Sequence, residues 1–352
     1  MATKYPWTRY FQDVYASSRV LRRLLNWFLW AALAAIQAAC ATPPAPAPAA
    51  KGAVPPSKGV IVQAGSLPSP RSEASVFSDG RSVYVAGGLD HRNVALAEIV
   101  RFDPGTETVT SLPETLPCPN YAAAVAWTGS AAYIFGGLDL TTVVDNIVRY
   151  TPGKNEPRLM SSRLPLAVYN AAAVWTGKAI YIFGGVNGGH LAHILEYDPA
   201  SDTITRLPAT LPIGVEAPGV FWDGKVMWVV GGKIDEAGTS GAPTDAIQMF
   251  DPSSKQARWV GHLPYPLWDP ASFGDGKTFY LVGGNSWPGE GYDAIVRFDP
   301  SGQGTYVLPI VLPLRMAGHV GTWVSSVSAG YVCGAGDVRS ERPSAMILRV
   351  VP

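Results

Sequence analysis

The phrase YIFGG stands at Tyr133–Gly137 and again at Tyr181–Gly185, and four variants of it complete a series. These are VYVAGG ending at Gly88, MWVVGG ending at Gly232, YLVGG ending at Gly284, and a weaker YVCGAG ending at Gly336. The first glycines of the six phrases are Gly87, Gly136, Gly184, Gly231, Gly283 and Gly334, with spacings of 49, 48, 47, 52 and 51 residues. A period of this length and regularity signals a repeat architecture in which each repeat is one supersecondary unit.

Each glycine pair closes an apolar run and is preceded by a small-residue apolar stretch and a turn, such as AAAVAWTGS or PGVFWDGK. After it come a variable loop, a strand ending in a turn such as IVRFDPGTET, and a short strand ending in Leu-Pro. Each repeat therefore reads as four strands. The run before the glycines is apolar on both faces, as in a strand packed between neighbouring sheets, so the repeats must stack to bury it. Asp-Pro at Asp103, Asp198, Asp251 and Asp299 opens the next turn. No helix is expected after the glycines, which excludes a phosphate cradle.

Composition agrees: 37 Gly and 31 Pro in 352 residues break long helices, while 47% apolar residues supply a core. The formal net charge is zero, which argues against a nucleic-acid partner. Cys40, Cys118 and Cys333 are too far apart to read as a disulfide framework or a metal knuckle.

In period, glycine pair and aromatic-Asp-Pro turn, residues from about 60 to 352 resemble the kelch repeat. The Trp that family carries in the fourth strand is replaced by Val109, Pro157, Ile204, Ala257 and Thr305, the mark of a divergent member. The resemblance implies an all-β fold, a six-bladed β-propeller with four antiparallel strands per blade. The ends fix the closure. MILRVVP, Met346–Pro352, aligns with AIVRFDP and lacks a fourth strand, whereas VIVQAGSLPSP, Val60–Pro70, reads like the fourth-strand phrase VTSLPETLP. A strand at about 60–66 is thus expected to complete the last blade and remove its open edge.

Outside the propeller, expected at 59–352, residues 1–41 read as a signal sequence or membrane anchor. Lys4, Arg9, Arg19, Arg22 and Arg23 face one acid, Asp13, and precede the apolar stretch Leu24–Ala41. Cys40 is a candidate lipidation site, although Gln37 departs from that motif; cleavage after Ala41 and an uncleaved helix are the alternatives. The Pro/Ala-rich segment 42–58 reads as a tether. Together they place the propeller outside the cytoplasm, secreted or held at the cell envelope, with the membrane touched only through this segment.

The Leu-Pro that ends each fourth strand serves as a ruler for a binding face. The fourth residue past each proline is Ser72, Tyr121, Tyr169, Glu216, Trp268 or Ala317, and the fifth is Glu73, Ala122, Asn170, Ala217, Asp269 or Gly318, with Arg71 and His319 flanking. In a propeller such positions converge on one mouth. Arg71, Glu73, Tyr121, Tyr169, Asn170, Glu216, Trp268, Asp269 and His319 are accordingly the candidate ligand-binding residues, a mixture suited to sugars or cationic groups. His190 and His193 lack a further close ligand, and no metal or cofactor is expected. The function expected is a binding scaffold that recognises a protein or glycan through its loop face. The alternative is a sugar-acting epimerase or lyase using the mouth carboxylates as acid and base.

Overall fold

The computed structural model describes residues 59–235, 241–286, 291–302, 304–334, 336–337 and 342–352. The signal or anchor, the tether and the Cys40 lipidation site lie outside the described residues. Six antiparallel blades of four strands follow one another along the chain, each running from an inner to an outer strand, and the sheet of blade 5 is extended by the short strands Gly336–Asp337 and Arg342–Pro343. From inside outward, blade 1 is Ser75–Ser78, Val83–Ala86, Glu98–Asp103 and Thr108–Thr115. Blade 2 is Ala124–Trp127, Ala132–Phe135, Ile147–Thr151 and Asn155–Leu159. Blade 3 is Tyr169–Trp175, Ile180–Val186, His193–Asp198 and Thr203–Thr210. Blade 4 is Gly219–Trp222, Met227–Val230, Ala246–Asp251 and Gln256–His262. Blade 5 is Ala271–Gly274, Phe279–Val282, Tyr292–Asp299 and the long, bulged Gly304–Ala317.

Blade 6 is completed from the other end of the fold. Val320–Val324, Ala329–Cys333 and Met346–Val351 supply three strands, and Val60–Ser66 pairs antiparallel with Met346–Val351 from Val60 opposite Val351 to Ser66 opposite Met346. The inner strands neighbour one another in blade order, and the inner strand of blade 6 returns to that of blade 1. The expected six-bladed ring and its closing strand are both present. Among the described residues the only helical segment is the 3-10 turn Ser325–Val327, and no described helix is long and apolar enough to cross a membrane.

The core is divided into six clusters, one per blade interface. The second strands are the driest: Val83–Ala86 and Ala132–Phe135 are buried at every position, as the two-faced apolar pattern requires. Cys333 is fully buried among them. Turns on the opposite side are tied by aspartates, with the Asp103 carboxylate accepting the Gly105 amide at 2.8 Å and that of Asp251 accepting Ser253 at 2.8 Å.

The glycine pairs are explained by close contact between blades. A Cβ on Gly136, whose φ is +62°, would sit 2.2 Å from the Val168 carbonyl oxygen of the next blade, and the Gly137 amide donates to that same oxygen at 2.8 Å. Gly87 and Gly88 meet Asn120 in the same way, Gly184 and Gly185 meet Val215, and Gly231 and Gly232 meet Leu267. The glycines are therefore the points where adjacent blades are bolted together.

Candidate functional site at the channel mouth

The six residues five places past each Leu-Pro stand in a ring. Glu73, Ala122, Asn170, Ala217, Asp269 and Gly318 all have φ between +45° and +62°. This conformation turns each amide towards the preceding blade: Glu73 donates to the Gly318 carbonyl at 2.7 Å, Ala122 to Glu73 at 2.9 Å, and Asn170 to Ala122 at 2.8 Å. Ala217 donates to Asn170 at 2.8 Å and Asp269 to Ala217 at 3.0 Å. The last link differs, because the Gly318 amide donates to the Asp269 carboxylate, Oδ2, at 2.8 Å. Five non-glycine residues in the left-handed region are strained, and the ring of hydrogen bonds holds them there.

This ring borders a central cavity of about 200 Å³. Its walls are the inner strands and are largely alanine, including Ala74, Ala124, Ala172 and Ala271. Its polar groups are mainly Glu73, Asn170, Asp269 and His319. Glu73 and Asp269 flank Gly318: one is hydrogen-bonded to its amide, and a Cβ added to Gly318 would lie 3.6 Å from Cγ of the other. Burial, reinforced by the Glu216 charge, pushes Glu73 up to about 7. Burial pushes Asp269 up to about 8, the Glu73 charge adding to it and the Gly318 amide opposing it. Both side chains are partly exposed to the cavity yet enclosed by protein, and no cationic side chain pairs with either among the described residues.

Glu216 belongs to a different environment. Its side chain is 10% exposed, Oε1 accepts from Asn170 Nδ2 at 2.8 Å, and Oε2 lies 2.9 Å from His190 Nε2 and 3.6 Å from Lys233 Nζ. Burial alone would raise its pKa, but the His190 hydrogen bond, the Lys233 charge and the Asn170 amide outweigh it and hold the carboxyl below its ordinary value. His190 Nδ1 in turn lies 3.0 Å from Asp235 Oδ1. His190 arrives in the loop after the blade 3 glycines, and Lys233 and Asp235 in the corresponding loop of blade 4, beside the hairpin formed by Lys233–Ile234 and Ala242–Pro243. The sequence reading did not connect these three residues to Glu216. The signal available was that loops following glycine pairs share the mouth face.

The aromatic candidates stand one register outside the cavity lining. Tyr121 pairs with Leu138, Tyr169 with Val186 and Trp268 with Asn285, each just past the glycine pair of its own blade. They form a rim of half-buried side chains, with Lys233 Nζ 5.1 Å from the Trp268 ring centroid. The Tyr121 hydroxyl is raised by burial and then by the charges of Glu73 and Asp139.

Arg71 is placed in the interior and away from the cavity lining. It is fully buried, Nη1 donates to the Gly87 carbonyl at 3.3 Å, and Nη2 binds both Ser69 Oγ and the Glu98 carboxylate. Asn120 occupies the equivalent place in blade 2 and donates to the Gly136 carbonyl at 2.8 Å. His319 lines the cavity but is only 1% exposed. Its Nε2 is 2.6 Å from the Val282 carbonyl oxygen and 3.4 Å from the Ala271 amide nitrogen. The shorter contact assigns the proton to Nε2 and leaves Nδ1 an acceptor with no partner. Burial lowers its pKa to about 4, so the ring is neutral. Among the described residues, no group of three or more His, Cys, Asp or Glu side chains is arranged to hold a metal ion.

A family model described as the KLHDC2/KLHL20/DRC7 Kelch-repeats domain matches residues 58–232, which span blades 1 to 3 and the first half of blade 4. No curated protein matches the chain. The matched repeats, the glycine-bolted blades and the six-sheet ring closed by Val60–Ser66 identify this chain as a kelch-repeat β-propeller.

Proposed function

We propose that this propeller is a binding scaffold that captures a protein partner on the face around the channel mouth. Kelch-repeat propellers generally mediate protein interactions, and that general role applies to this fold. The observation that carries the choice of face is the rim of Tyr121, Tyr169, Glu216 and Trp268, each pinned by backbone pairing to the strand or loop after its glycine pair. Aromatic groups held on a rigid frame lose little entropy on binding, which is the property of an anchor residue. The composition of residues 1–58 supports a propeller exported from the cytoplasm and tethered at the envelope.

The test is crosslinking of the full chain in its native host, followed by rebinding with purified components. A partner whose affinity falls at least tenfold with Tyr121→Ala combined with Trp268→Ala supports the reading. A partner that binds this variant as it binds the unaltered chain removes the mouth from the interface.

A sugar-acting enzyme is the second reading, favoured by the two raised carboxyls of Glu73 and Asp269, which suit general acid and base roles near neutral pH. Sugar turnover abolished by either Glu73→Gln or Asp269→Asn would support it over the scaffold.

A further inference from the structure

At the inner ring the carboxyl oxygens of Glu73 and Asp269 and the amide oxygen of Asn170 remain as acceptors. Gly318 uses Oδ2 of Asp269, leaving Oδ1, and no donor reaches the Glu73 carboxylate among the described residues. Asn170 gives one Nδ2 hydrogen to Glu216 and keeps Oδ1 as an acceptor. His319, buried in the cavity lining, is neutral and brings no positive charge to the acids. Three acceptor side chains at one cavity, two of them carboxyls with no cationic partner among the described residues, call for a ligand made of donors. The remaining wall is mainly alanine and valine, with Pro218, Pro270, Ser272 and Gly321, which suits a short alkyl chain, and about 200 Å³ is below the range of drug-sized pockets. Gly318 stands between the two acids, with its amide on the Asp269 carboxylate and its Cα side towards Glu73.

We infer that the channel mouth is a subsite for an alkylammonium group, seated beside Gly318 between the carboxylates of Glu73 and Asp269, with the alkyl stem against the alanine wall. The ammonium donates three hydrogen bonds and carries the charge that the two acids lack. A lysine of a partner protein and a free amine offer the same group. The inference rests on the scaffold reading only where the lysine is the source. The raised carboxyls add a signature: the cation favours the ionised acids, so binding releases protons and strengthens as pH rises through 7 to 8.

The test is calorimetry on the full chain with n-butylammonium, with n-butanol as the neutral control. At pH 8.5 butylammonium binds and butanol does not, affinity falls at least tenfold at pH 6, and the heat varies with the ionisation enthalpy of the buffer. Glu73→Gln and Asp269→Asn each weaken binding at least tenfold at pH 8.5. The pH arm uses the unaltered protein and stands even if a substitution impairs folding. No binding of butylammonium, equal binding of butanol, or unchanged affinity in both variants overturns the inference. An acetylated lysine tripeptide amide that binds more tightly than spermidine assigns the group to a protein, and the reverse order assigns it to a free amine. Butylammonium binding without any partner at the rim leaves the subsite standing and the scaffold reading fallen. A rim-dependent partner with no butylammonium binding does the opposite.

Discussion

Oδ2 of Asp269 lies 2.8 Å from the amide nitrogen of Gly318, and this contact closes with a side chain a ring that the other five links close with backbone carbonyls. The substitution places a carboxylate at the cavity, where Glu73 already stands, and the Glu73 charge adds to the burial that raises the proton affinity of Asp269. Their titration acts on the fold as well as on any ligand.

Both groups bind protons more tightly folded than unfolded, so between about pH 4 and 8 the folded chain holds protons that the unfolded chain has released, and stability falls as pH rises through that window. Asp269→Asn keeps an acceptor for Gly318 and removes the charge. It is expected to be more stable than the unaltered chain at pH 8.5, by about 1–2 kcal/mol or roughly 2–8 °C, with the gap closing towards pH 4. Thermal melting at both pH values checks this, and a constant gap would contradict it.

Glu216 behaves in the opposite sense. Its lowered pKa contributes stability that is present above the ordinary carboxylate range and is lost as pH falls through the folded value. Glu216→Ala strips a partner from His190, Asn170 and Lys233 together and is expected to cost about 1–3 kcal/mol at pH 7. Denaturant unfolding of the variant at pH 7 and pH 4 should show the difference shrinking in acid.

At the blade contacts, Gly136→Ala would drive a methyl to 2.2 Å from the Val168 carbonyl, whereas Gly177→Ala meets nothing within 4 Å although its φ of +92° is less favourable for an L-residue than the +62° of Gly136. The second substitution isolates backbone strain, about 1 kcal/mol or somewhat more, and the first adds a clash between blades. A destabilisation at least twice as large for Gly136→Ala is expected by urea melting.

Arg71→Ala removes a donor from the partly exposed Glu98 and Ser69 and from the Gly87 carbonyl. Glu98 is a third exposed and keeps Ser111, so the loss is that of charge-assisted hydrogen bonds and is expected to cost about 1–3 kcal/mol. Reduced stability with unaltered n-butylammonium affinity in the folded fraction would match the placement of Arg71 outside the cavity lining.

Deleting Val60–Ser66 exposes the edge of Met346–Val351 and removes Ala64 from the core between blades 6 and 1. Loss of the cooperative transition is expected in calorimetry, and an unchanged melting temperature would show that the ring does not need this strand.

The repeats, the blade number and the closing strand were legible because each depends on local residues with one structural solution: glycines under a neighbouring carbonyl, and a strand phrase displaced to the front of the fold. The ruler succeeded in bringing Glu73, Asn170 and Asp269 to one ring because it counts from a buried leucine, Leu67, Leu164 or Leu263, through a short fixed segment. It was blind to side-chain direction. Arg71 lies two residues before Glu73 yet turns into the blade interface, and Tyr121, Tyr169 and Trp268 sit one register out, paired to the segments beyond the glycines. His190 reaches Glu216 from 26 residues upstream and another blade, a contact set by loop geometry that no local pattern encodes.

The closing pair also sets a clock. Val60–Ser66 is the first described strand to leave the ribosome and Met346–Val351 the last, so at roughly 5–20 residues per second the first waits on the order of 15–60 s for its mate. Throughout that interval every other blade can assemble while the ring stays open. Two nascent chains held near one another could exchange these strands, so the yield of monomer should depend on how far apart neighbouring ribosomes keep them.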